Sequence, residues 1–148
     1  MGGKDQPVRV FVREEASGTR EAFMHLVMKE ARVAKDALVQ DSNGSVKESV
    51  KNDPAAVGYM SLGLVGTEVK ALAIDGVQPT HAEVLAGRYN LVRPFLFVIR
   101  KDKPLRPEAQ AFIDYVLSAP AQQKLEAEGL VRVGEQIAGE KATAAPAK

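Results

Sequence analysis

The feature that most constrains this chain is a short apolar run that ends in an arginine and leads directly into a helix start. Val8-Arg9-Val10-Phe11-Val12 is β-branched and apolar, which predicts a buried strand. Arg13-Glu14-Glu15-Ala16 breaks it, and Ser17-Gly18-Thr19 follows. Ala22, Phe23, Leu26, Val27 and Ala31 then recur at helical spacing. That pattern predicts an amphipathic helix over about residues 18–33, with Ser17 as its N-cap.

The strand-to-helix alternation continues. Asn43-Gly44 is turn chemistry, Ser45 to Asn52 predicts a short helix, and Asp53-Pro54 ends it. Ala56 to Ser61 and Val69 to Ile74 predict strands, the second closed by Asp75-Gly76. Thr80 can cap a helix through Ala86. Leu91 to Arg100 predicts a long strand bent at Pro94. Arg106 to Leu117 and Ala121 to Glu128 predict two helices separated by Ser118-Ala119-Pro120. Alternating strands and helices predict the α/β class, with a small mixed sheet flanked by helices and additional helices at the C-terminal end. Residues 1–7 read as a linker or tag, and 134–148, rich in Ala, Lys, Glu and Gly, as a disordered tail.

Composition removes several function classes. With no cysteine, thiol nucleophiles, disulfides and cysteine metal sites are excluded. Twenty basic and nineteen acidic residues are interleaved rather than clustered, so nucleic acid is not an expected partner. No apolar run approaches the ~20 residues of a membrane span. The first residues lack the apolar stretch of a signal peptide, which leaves either a cytoplasmic chain or a piece of a longer secreted precursor.

The chemistry concentrates at Arg13 to Thr19. A helix start presents unpaired N–H groups and a partial positive charge, and so suits an oxyanion. Gly18 permits close approach of the anion to the backbone, and Ser17 and Thr19 add hydroxyl donors. Arg13, at the strand end, can offer a bidentate guanidinium to the same point. The residues alone leave two readings open, an anion site or a simple N-cap beside a surface arginine. Glu14 and Glu15 oppose an anion site unless they point away or pair with Arg20.

Other candidates are weaker. His25 and His81, the two histidines, fall in no metal-binding pattern, so no metal and no cofactor are expected. His25 lies eight residues beyond Ser17, about 12 Å along a helix, too far for a catalytic pair. Tyr59, Tyr89 and Tyr115 read as core or interface aromatics. With no nucleophile and base in place, no enzyme is expected.

Arg13 with Ser17-Gly18-Thr19 and Phe23 resembles the signature of phosphate-binding proteins of ABC transporters. The resemblance continues through Ala56-Val57-Gly58-Tyr59-Met60-Ser61, Lys70 to Val77, Gly87-Arg88-Tyr89 with Arg93-Pro94, and Ser118-Ala119-Pro120 with Gln123 and Gly129. It covers about Val8 to Val133 and implies one lobe of a periplasmic-binding-protein-like fold, residues 8–133, whose return helices occupy about 101–133. It also implies that Arg13, Ser17, Gly18 and Thr19 are phosphate ligands, that an ABC permease is a partner and that the setting is periplasmic or otherwise extracytoplasmic. Family members have two lobes with phosphate between them. This chain resembles the second lobe only, so a half-site is expected, with a separate first lobe as a possible partner. The apolar stripe Ala109, Phe112, Ile113, Val116 and Leu117 would then lack its usual cover, and a homo-oligomer is expected. The alternative to phosphate uptake is an oligomerising interaction protein that keeps the lobe fold without tight phosphate binding.

Overall fold

A computed structural model describes residues 5–134. The chain divides into two compact units, Met1–Leu72 and Ala73–Lys148, and each is described by itself. Most of the expected disordered tail lies outside the described residues, as do residues 1–4 of the expected linker.

The first unit is built on strand β1, Arg9–Arg13, which pairs in parallel with β2, Leu38–Gln40, and with β3, Ala56–Gly58. The order β2-β1-β3 places β1 in the centre, so Phe11, Val12 and Arg13 are buried. All three strands run parallel, where the sequence predicts a mixed sheet; parallel neighbours need crossover helices, and helices α1 and α2 sit on those crossovers. Register pairs Phe11 with Leu38 on one side and with Gly58 on the other.

Helix α1, Gly18–Phe23, continues as a π-helical turn, Met24–Met28. It stops well short of the expected residue 33 because Lys29 takes a left-handed φ of 52°, which no helix continues through. The Phe23 ring stacks on Tyr59 at 4.1 Å, tying α1 to the segment after β3. Helix α2, Asn43–Lys51, starts two residues earlier than the pattern predicts, because Ser42 rather than Asn43-Gly44 makes the break: its side chain accepts from the Ser45 N–H. Val46 on α2 is fully buried. A Cβ at Gly58 would come within 2.7 Å of Val46 Cγ1 and 3.2 Å of the Phe11 carbonyl oxygen, so glycine is what lets α2 close on the sheet.

The expected strand at Ala56 to Ser61 is only three residues long. The expected strand at Val69 to Ile74 does not form: Ile74 and Val77 make a single antiparallel bridge around Asp75-Gly76, both at positive φ, a two-residue hairpin turn without a ladder.

In the second unit, α3 (His81–Leu85) begins at Thr80, whose side chain accepts from the Glu83 N–H as the sequence predicts. Leu91 to Arg100 is not a strand. None of the described residues pairs with it, and Phe95, Leu96, Phe97, Val98 and Ile99 are all exposed. Helices α4 (Pro107–Leu117) and α5 (Ala119–Ala127) each carry proline in the first turn, where its missing N–H costs no helical bond. Ser118 alone separates them, so Ala119 and Pro120 open α5 instead of linking the pair. The buried Gln122 amide donates to the Val116 carbonyl and accepts from the Val133 N–H, fastening the chain beyond α5 to both helices.

Candidate functional site

The end of β1 and the start of α1 bring Arg13, Ser17, Gly18 and Thr19 onto one turn. Ser17 is buried, and its Oγ accepts from the Arg20 N–H at 3.3 Å, so the hydroxyl serves the helix cap. Gly18 and Thr19 are the first two helical residues, and helix geometry gives their N–H groups no intrahelical acceptor. Gly18 is exposed and Thr19 half-buried.

Arg13 is not the surface charge of the plainer reading. Its side chain is 11% exposed and its guanidinium is gripped from three directions. Nε and Nη2 donate to the two Glu14 carboxylate oxygens at 3.0 and 2.9 Å. Nη1 donates to Asn43 Oδ1 at 2.9 Å and Nη2 to the Asp41 carbonyl at 3.2 Å. A guanidinium has five N–H donors, so these contacts leave one Nη1 hydrogen among the described residues. The backbone N–H of Arg13 donates to the Tyr59 hydroxyl.

Glu14 is arranged differently from either expectation. Glu14 neither points away nor pairs with Arg20; it folds back onto Arg13. That is possible because Glu14 stands past the end of β1, where the chain turns and strand alternation no longer holds the two side chains apart. The hydrogen bond from Arg13 holds the Glu14 carboxyl below its ordinary range. Arg20 instead donates to the Arg13 carbonyl at 2.6 Å and so supports the turn from inside.

Asn43 was not visible as a site residue in the sequence, where Asn43-Gly44 reads as turn chemistry. It reaches Arg13 because β2 and α2 follow one another on the edge of β1, and the only signal was its place just after a strand too short to recognise. Tyr59, expected as a core or interface aromatic, both stacks on Phe23 and touches the Arg13 backbone. His25 is exposed on the π-helical turn. Among the described residues, no group of three or more His, Asp or Glu is placed to hold a metal ion.

A parallel α/β sheet whose central strand ends in a buried arginine and turns into a capped helix is the architecture of a ligand-binding lobe, and comparison with known proteins gives the same class. Residues 1–120 match the family model described as PBP superfamily domain, and the chain belongs to that family. It is 35% identical over 133 residues to the phosphate-binding protein PstS 2 of Streptococcus agalactiae, an alignment covering 84% of this chain and 45% of that protein. It is 37% identical over 90 residues to the phosphate-binding protein PstS of Bacillus subtilis, covering 60% of this chain and 30% of that one. In structure it is similar to a phosphate ABC transporter substrate-binding protein with bound phosphate from Clostridium perfringens, with a TM-score of 0.80 and 34% identity over 89% of this chain and 54% of the other. An ABC-type phosphate transport receptor from Vibrio cholerae gives 0.72 and 34%, over 86% and 54%. The chain thus spans about half the length of the relatives it matches. Among the described residues no helix is long and apolar enough to cross a membrane.

Proposed function

We propose that this chain is a non-catalytic lobe that binds inorganic phosphate as part of an ABC-type uptake system, with Arg13, Ser17, Gly18 and Thr19 as its share of the ligands. The observation that carries this is a nearly buried guanidinium on the same strand-to-helix turn as the uncapped Gly18 and Thr19 amides, in a chain whose relatives include a protein with phosphate bound. Fixed positive charge and free N–H donors at one point favour a tetrahedral oxyanion, and neither is a nucleophile or a general base. The extracytoplasmic setting and a permease partner follow from the relatives' role as transport components.

The expected test is titration calorimetry with inorganic phosphate. Arg13→Ala abolishes measurable binding, whereas Arg20→Ala, which removes an equal charge that braces the turn through the Arg13 carbonyl, weakens it modestly. Equal losses from both would reduce the site to general electrostatics.

A second reading is favoured by Phe95, Leu96 and Val98, which are 70%, 76% and 92% exposed. A run that apolar suits burial against another chain, either a complementary half-protein or a second copy. On this reading association is the function and phosphate binding is incidental; the mass of the chain in solution bears on it directly.

A further inference from the structure

Arg13 can grip an oxyanion bidentately only through one edge of its guanidinium, and the edge that faces outward depends on what holds the other. The Nε–Nη2 edge lies on Glu14, whose side chain is 36% exposed and can move into water. The opposite, Nη1–Nη2 edge lies on Asn43 Oδ1 and the Asp41 carbonyl, both fixed at the β2–α2 junction. We propose that Asn43 is a positioning residue for the phosphate site: it pins the inner edge of the Arg13 guanidinium, so that the Nε–Nη2 edge is the one presented to an oxyanion exchanging with Glu14. This rests on the phosphate-binding reading above and adds to it a residue outside the Arg13-to-Thr19 turn.

The chemistry of the contact is one-sided. Arginine only donates, so the Asn43 amide must turn its oxygen to Arg13, which sends its NH2 group the other way. There it reaches Ser61 Oγ at 3.4 Å, and that contact orients the amide from behind. Asn43 is half-buried, which limits competition by water. Its side chain is not needed for the helix: Ser42 is the N-cap of α2, and alanine at the first helical position keeps the turn. Removing the amide therefore leaves the fold and frees the guanidinium to rotate.

Calorimetric or phosphorus NMR titration of the full chain with inorganic phosphate tests this through a double-mutant cycle. Asn43→Ala is expected to weaken phosphate binding about tenfold, the scale of one hydrogen bond to a charged group, with the thermal midpoint of the unliganded chain nearly unchanged. In an Arg13→Lys background, where no planar fork remains to be aimed, Asn43→Ala is expected to change affinity less than about twofold. Ser61→Ala should reproduce a smaller part of the Asn43→Ala loss. Unchanged affinity in Asn43→Ala, or an equal loss in both backgrounds, overturns the positioning role while leaving the site itself standing. Binding that survives Arg13→Ala instead removes the site on which the role depends.

Discussion

At the scale of single residues, the proposed phosphate site sets a resident carboxylate against an incoming anion. Glu14 occupies the two donors that a bidentate oxyanion would use, and the hydrogen bond from Arg13 favours its charged form, holding its pKa below the ordinary carboxylate range. Phosphate must displace it and then sit near its negative charge. Glu14→Gln is therefore expected to tighten phosphate binding about two- to fivefold, the range of a partly exposed ion pair, whereas Glu15→Gln, whose residue is exposed, changes it less. Titration of both variants decides it; weaker binding in Glu14→Gln would mean that the carboxylate assists the ligand. Gly58 makes a second prediction. A methyl there meets the Phe11 backbone as well as Val46 Cγ1, and backbone cannot step aside cheaply. Gly58→Ala is expected to destabilise the fold by about 1–3 kcal/mol of overpacking, read from denaturant unfolding.

At the scale of elements, the first unit is held at its joints by carboxylates whose charged form is favoured by folding. Asp53 accepts from the Ala55 N–H and pairs with Arg9 between α2 and β3; Asp41 accepts from Ser45 at the start of α2; Glu68 is stabilised mainly by a backbone N–H and by Lys47. Each has its pKa lowered by these contacts, as does Glu14. A depressed folded-state pKa gives stability that is present above the unfolded value, near pH 4, and is lost as pH falls through the folded value. Thermal unfolding followed by circular dichroism should thus be insensitive to these groups between about pH 6 and 8, and the midpoint should drop below about pH 4. Asp53→Asn, which removes one such group, should flatten part of that drop. These carboxylates are exposed enough that each contributes modestly, and the effect is expected from the set.

At the scale of the whole molecule, the chain spans about half the length of the relatives it matches, and apolar surface stands exposed in its second unit. Phe95 to Ile99 finds no strand partner among the described residues, and Phe112 and Leu117 on α4 remain exposed. Light scattering over a concentration series is expected to show masses above the 15.9 kDa of one chain, rising with concentration. A constant monomer mass would remove the association reading. With ligands from one lobe only, the proposed phosphate site is expected to have a dissociation constant on the order of 0.1 mM or weaker and little preference over sulfate, since each hydrogen bond contributes about 0.5–3 kcal/mol.

What the sequence determined by itself is the local grammar. The first strand, expected at Val8 to Val12 and formed by Arg9–Arg13 with Val8 exposed, the Ser17 and Thr80 caps, and the helices near 45–52 and 106–128 rest on periodicity and capping chemistry that act within a few residues. The turn of Arg13, Ser17, Gly18 and Thr19 was legible for the same reason. Everything that depends on a distant partner was decided by tertiary structure. Leu38–Gln40 is a strand only because β1 lies beside it, and Leu91 to Arg100 is not one because the described residues offer it no neighbour. Asn43 joined the site because β2 and α2 pack against the end of β1, bringing together side chains that lie 30 positions apart in the chain. A hydrogen-bonded ladder and the contacts of Arg13 with Asn43 and Asp41 are long-range, and the spacing of residues along a single chain does not encode them.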